Sequence, residues 1–290
     1  MRILQVIVAG TLLFSSAAVQ AADPPMLDAE DAPVVETFNW SGFYVGGHLS
    51  AGIGSSNIAE IANAVIWPGF VFTQPPPLVP LVLIPSRFSS VPAQTVRGAV
   101  ALGGVQLGAN LQRGRAIFGV EADIAAAALS QSGPLNVGPD PFLAGQVITG
   151  TFTADIDWTA SLRARLGFAV KPRVMLYATG GLAYGAGQFT SSFTLTPAPL
   201  PVIVPAVPGG TTTATSPFGS IGWTAGLGAE WAANDKWSVG WEYSHSAFAA
   251  SNVQLASTDP SGLGLTDVLT TSVRHTVDVV TLRFNRHLGK

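Results

Sequence analysis

Along residues 155–168, DIDWTASLRARLGF, every second residue belongs to one of two unlike sets. Ile156, Trp158, Ala160, Leu162, Ala164, Leu166 and Phe168 are apolar without exception, while Asp155, Asp157, Thr159, Ser161, Arg163, Arg165 and Gly167 are polar or tiny. Side chains alternate across a strand, so a period of two predicts a long β-strand with one apolar face. Ordinary strands run about five or six residues, whereas one crossing a bilayer at a tilt needs roughly nine to eleven. The charged face must be wet or internally paired. Apolar outside and polar inside is the pattern of a barrel in lipid.

The same alternation recurs at 40–54, 96–110, 115–129, 174–189, 218–231, 237–248 and 273–288. Together these predict an all-β fold, an antiparallel transmembrane β-barrel of about eight strands. The short breaks at 112–114, 171–173 and 234–235 alternate with long ones at 55–95, 130–150, 190–217 and 251–272. Four long outer loops and short periplasmic turns are the rhythm of a bacterial outer-membrane barrel. Trp40, Trp158, Trp223, Trp231, Trp237 and Tyr243 fall near predicted strand ends and suit interfacial aromatic girdles. The first long connection holds Pro75, Pro76, Pro77, Pro80, Pro85 and Pro92, a density that excludes central strand pairing. Its apolar run 78–84 is expected to fold back over the barrel mouth, with contact to a partner or lipid as the alternative.

Composition narrows the classes. Charged residues make up only 11% and hydrophobic ones 48%, which fits neither a disordered chain nor a nucleic-acid binder. No apolar run of about eighteen residues occurs beyond the N-terminus, which argues against a helical membrane protein. Residues 1–21 read as a secretory signal: Arg2, a mostly apolar 3–14 stretch, then Val19-Gln20-Ala21 as a small-residue cleavage site. Residues 22–39, acidic and aperiodic, read as a periplasmic leader, and 40–290 as the barrel. The formal charge of −3 argues against a nucleic-acid partner. There is no cysteine, which excludes disulfides and thiolate metal sites.

The segment Asn39-Trp40-Ser41-Gly42-Phe43-Tyr44-Val45-Gly46-Gly47 resembles the first strand of the porin-like outer membrane proteins of alphaproteobacteria, the outer membrane immunogenic protein type with an OmpA-like barrel. Gly103-Gly104-Val105-Gln106-Leu107-Gly108 and Gly119-Val120-Glu121-Ala122-Asp123 are similar to its second and third strands. The stretches 158–167, 176–185, 222–230 and 237–243 are similar to the fourth to seventh. The resemblance implies localisation in the cell outer membrane of a Gram-negative bacterium, a structural or porin-like role, and surface loops recognised by a host or environmental ligand. It also implies outer membrane lipids and the barrel assembly machinery as partners. That family usually closes on an aromatic residue in the last strand; here the matching position holds Leu288, and Phe284 is the last aromatic.

Candidate chemistry lies in the inward charges Glu121, Asp123, Asp155, Asp157, Arg163, Arg165, Glu230, Glu242 and Arg283. Eight strands leave a bore just wide enough for side chains to fill. Arginine against carboxylate there predicts a salt-bridged plug, with a narrow polar path for small solutes as the alternative. Glu242, Ser244, His245 and Ser246 supply residue types for lipid hydrolysis, but alternation puts His245 on the lipid side, so no enzyme is expected. His48, His245, His275 and His287 lack metal-ligand spacing, and neither metal nor cofactor is expected.

Overall fold

The computed structural model describes residues 37–66, 86–135, 148–195, 210–258 and 266–288. The predicted signal, most of the leader and the apolar 78–84 run lie outside the described residues.

Among the described residues, eleven strands form one antiparallel sheet: β1 (Gly42–Ile58), β2 (Ile61–Ile66), β3 (Ser86–Val91), β4 (Gln94–Arg113), β5 (Ala116–Pro134), β6 (Ile148–Lys171), β7 (Val174–Leu195), β8 (Gly210–Ala232), β9 (Trp237–Phe248), β10 (Ser251–Thr258) and β11 (Thr266–His287). The order β1-β4-β5-β6-β7-β8-β9-β11 closes on itself, because β11 pairs back onto β1 from Tyr44↔His287 to Ile58↔Val273. Closure leaves this ring without an open edge. The other three segments prolong it. β2 continues beside β11 where β1 stops, β3 pairs with β2, and β10 takes over from β9 on the other side of β11. The barrel is therefore eight-stranded, three of its strands being interrupted at 59–60, 92–93 and 249–250.

Strands run deep into segments expected to be loops. β2 and β3 lie within 55–95, β5 reaches Pro134, β7 reaches Leu195, β8 starts at Gly210, and β10 and the start of β11 occupy much of 251–272. Even Pro217 sits in a strand, opposite Gln188, and points outward. The reason is a reversal of polarity along the barrel. In the half next to the short turns, Phe43, Leu49, Val105, Leu162, Leu182, Leu227 and Val280 face outward, each 58–70% exposed. Beyond this belt the apolar side chains turn inward. Phe152, Phe189, Phe218, Phe248, Leu129, Ile156 and Val273 share a buried core, with the Phe152 and Phe189 rings stacked at 5.7 Å. Outside that core stands a hydroxyl wall, three strands wide and in register: Thr149, Thr194 and Thr211; Thr151, Ser192 and Thr213; Thr153, Thr190 and Thr215. Hydroxyls bond across β7 and β8 in each row, at 2.9, 3.1 and 3.1 Å. A sheet with a dry inside and a hydroxylated outside is built for water.

The junction carries irregular register. Between β5 and β6 the pairing shifts between Ala126 and Leu129, and between β6 and β7 it shifts between Ile156 and Trp158, leaving Asp157 unpaired. A bulge of this kind reverses which face the next side chain takes. Ile156 is consequently buried at 3% exposure while Trp158, two residues on, is 40% exposed.

At the other end the turns are tight. Gly114 has φ 61° between Arg113 and Ala116, a left-handed conformation that glycine adopts without a Cβ clash. Pro172-Arg173 joins β6 to β7. Asn234 Oδ1 accepts the N–H groups of Lys236 and Trp237, both at 2.9 Å, an Asx turn before β9. Trp40 corrects the expectation of a girdle residue. The strand begins at Gly42, and Trp40 is turned into the barrel mouth at 0% exposure, with Phe38, Ile117, Met175, Tyr177 and Ala232 around it. The Trp40 backbone N–H donates to Gln112 Oε1 at 2.8 Å, and the Phe38 backbone N–H donates to Pro172 O at 2.8 Å.

Candidate functional site

The lumen beneath the outer core holds a closed network of charge. Glu121 and Arg163 lie side by side on β5 and β6 in direct register, and alternation sends both inward. Arg163 Nη2 donates to Glu121 Oε1 at 2.5 Å, and Nη1 reaches Glu242 Oε1 on β9 at 2.6 Å. Arg283 on β11 closes the ring, donating to Glu242 Oε2 at 2.9 Å and to Glu121 Oε1. Arg165 pairs with Glu230. Its guanidinium lies 3.7 Å above the Tyr177 ring, a cation–π contact. Three arginines thus face three glutamates, and all six side chains are 8% exposed or less.

Neutral groups complete the bonding. The Tyr44 hydroxyl donates to Glu121 Oε2 at 2.6 Å. Gln106 Oε1 accepts from Arg283 Nε and Nη2 at 2.9 and 2.7 Å, while its amide donates to Asn285 Oδ1 at 2.5 Å. Asn285 and Ser238 in turn donate to Glu230 Oε1 at 2.9 and 2.5 Å. Each buried carboxylate therefore has several donors, the condition under which a buried ion pair is tolerated. Small neighbours make the room: Arg163 is flanked by Gly181, Arg165 by Gly119, Arg283 by Gly240 and Glu242 by Gly228. Above the network lies a cavity of about 70 Å³, floored by Arg163, Glu242 and Arg283 and roofed by Leu129, Ile156 and Phe248.

Of the nine charges singled out from the sequence, the structure brings together Glu121, Arg163, Arg165, Glu230, Glu242 and Arg283. Asp123 sits at the margin, accepting from Ser161 and lying 3.3 Å from Arg163 Nη2. Asp155 and Asp157 are not in the lumen. The bulge at Asp157 leaves that residue exposed and turns Asp155 to the outer face, in line with Thr153 and Thr151. Tyr44, Gln106, Ser238 and Asn285 were not among the site residues, although all share the inward phase of the charges beside them. A second polar cluster gave no signal in the sequence. Ser56 Oγ lies 2.6 Å from His275 Nδ1 and also bonds Gln131 inside the apolar outer core, with His275 stacked on Phe218 at 4.9 Å.

The residue types considered for hydrolysis are dispersed. Ser244 faces inward, Ser246 bonds Thr224 at 2.9 Å, Glu242 belongs to the arginine network, and His245 points outward with Nδ1 2.8 Å from Asp278 Oδ1. Trp158 and Tyr184 lie 5.3 Å apart, as do Trp223 and His245. Together they mark the upper limit of the exposed apolar belt.

A closed antiparallel ring with an apolar belt outside and paired charge within defines a transmembrane β-barrel. Residues 9–266 match the outer membrane protein beta-barrel domain family, and the chain belongs to it. The 31 kDa outer-membrane immunogenic proteins of Brucella melitensis and Brucella suis are each 28% identical over 260 residues, covering 86% of this chain and 88% of the relative. Among solved structures, the outer membrane protein OprG of Pseudomonas aeruginosa aligns at a TM-score of 0.36 and 11% identity, over 89% of this chain and 100% of its own. The protein is an outer-membrane barrel.

Proposed function

We propose that this barrel serves the envelope as a closed structural and surface-display protein rather than as a diffusion channel. The observation that carries the reading is the filled lumen. The Arg163, Arg165 and Arg283 network occupies the middle, Trp40 and Phe38 the mouth at the short turns, and the Phe152–Phe189 core the other end. A conducting bore would need a continuous wet path; here the cavity above the arginine network is about 70 Å³ and has side chains above and below. The wall that projects past the apolar belt supports display: its hydroxylated outer face suits water and its dry core keeps it rigid.

Solute flux through liposomes carrying the refolded protein tests this, with heat-shifted gel mobility as the folding control. Folded protein should pass no small hydrophilic solute above the liposome background. Size-dependent flux that changes on Arg163→Gln would replace this reading with that of a narrow porin.

A further inference from the structure

The lumen is charge-balanced, but the short-turn end is not. Arg113, Arg115, Lys171, Arg173, Lys236 and Arg286 gather there, against one carboxylate among the described residues, Asp235. That carboxylate is committed, since Arg173 Nη2 bonds Asp235 Oδ1 at 3.1 Å and ties two turns together. A chain with a formal charge of −3 therefore concentrates positive charge at one rim.

Two of these cations are fixed against the outward-facing aromatic residues of the belt. The Arg115 guanidinium lies 5.1 Å from the Phe168 ring centroid, held by Nε and Nη2 donating to Ala169 O and Val170 O at 2.9 and 3.1 Å. The Arg286 guanidinium lies 5.9 Å from the Trp237 ring centroid. Phe168, Trp237 and Phe284 are 45–48% exposed on the same outward face. Arg115 and Arg286 thus stand where the apolar belt ends, on its outward face, and Lys236 is exposed in the turn between β8 and β9. A cation at a bilayer surface attracts anionic headgroups, an effect that falls off within a Debye length.

We propose that this rim is a binding collar for anionic phospholipid of the periplasmic leaflet, with Arg115, Lys236 and Arg286 as its phosphate-facing residues. The belt anchors the acyl chains and the collar selects the headgroup. The acidic part of the leader, residues 23–36, is a competing source of negative charge for the same rim, and the test separates the two.

The full-length refolded protein is reconstituted in phosphatidylcholine, and the relative association of spin-labelled phosphatidylglycerol against spin-labelled phosphatidylcholine is read from the motionally restricted fraction. Phosphatidylglycerol should be preferred by roughly threefold or more at low salt, and the preference should collapse toward unity in about 0.5 M salt. The R115Q/K236Q/R286Q variant should lose it, while R97Q/R274Q, altered on the outer wall, should keep it. Should the triple variant misfold, the salt response of the unaltered protein still decides. Equal association of both lipids, or a preference untouched by salt, overturns the proposal. So does a preference that emerges only once residues 23–36 are deleted, because the leader would then be the rim's occupant.

Discussion

Arg163 is held between Glu121 on the neighbouring strand, 2.5 Å from Nη2, and Glu242 on β9, 2.6 Å from Nη1. This one side chain bridges β5, β6 and β9 through the middle of the barrel. Replacing it with Gln or Ala strands two carboxylates in a dry lumen, with Arg283 as their remaining cation. Loss of one member of a buried pair costs about 3–5 kcal/mol. Arg163→Ala should lower the urea midpoint of the refolded barrel accordingly, and R163A/E242A should recover part of the loss. An unchanged midpoint in the single variant would mean that the network adds nothing to stability.

Trp40 offers a second test. Its side chain is fully buried in the mouth and the backbone on either side is pinned by Gln112 and Pro172. Trp40→Ala removes a large core side chain, a change worth about 3–5 kcal/mol. It should also expose the neighbouring chain to protease added at the short-turn side. Equal protease resistance in the two proteins would contradict a stopper at this end.

Two glycines of β1 and β4 should respond differently to the same methyl group. A Cβ at Gly108 would land on the Tyr44 ring, whereas one at Gly47 would meet only Gly104 O at 3.6 Å, on the lipid side. Gly108→Ala should push the Tyr44 hydroxyl away from Glu121 and cost about 1–3 kcal/mol. Gly47→Ala should be neutral. Unfolding curves of the two variants in one detergent give the comparison directly.

His275 is buried in apolar surroundings with Nε2 unpartnered, and Ser56 can still donate to Gln131 without it. Replacing a half-satisfied buried polar group with an apolar one of similar size is expected to be neutral or to stabilise by about 1 kcal/mol. His275→Leu should therefore retain or raise the unfolding midpoint. A loss of several kcal/mol would show that the Ser56–His275 bond holds the outer core together.

Strict alternation made the lipid-spanning half of this barrel legible. Leu162, Arg163 and Ala164 can be assigned to their faces from sequence, because lipid and lumen impose opposite demands on neighbouring residues. The outer half was not legible for the same reason. Thr190, Ser192 and Thr194 look like loop when the outward face is expected to be apolar, yet they are the water side of an ordinary sheet. Asp155 and Asp157 went astray at the bulge, since a pattern of period two cannot register one unpaired residue. Trp40 was misplaced because an aromatic near a strand end can face lipid or cap the lumen, and only the turn at Gly42, with φ 120°, decides.

The hydroxyl wall also settles how deep the protein rides. Pulling the row of Thr153, Thr190 and Thr215 into hydrocarbon would dehydrate three hydroxyls at about 1–3 kcal/mol each. Pushing the other way would lift Trp158, Tyr184 and Trp223 out of the interface. The molecule carries its own waterline, and a thicker bilayer must thin around it.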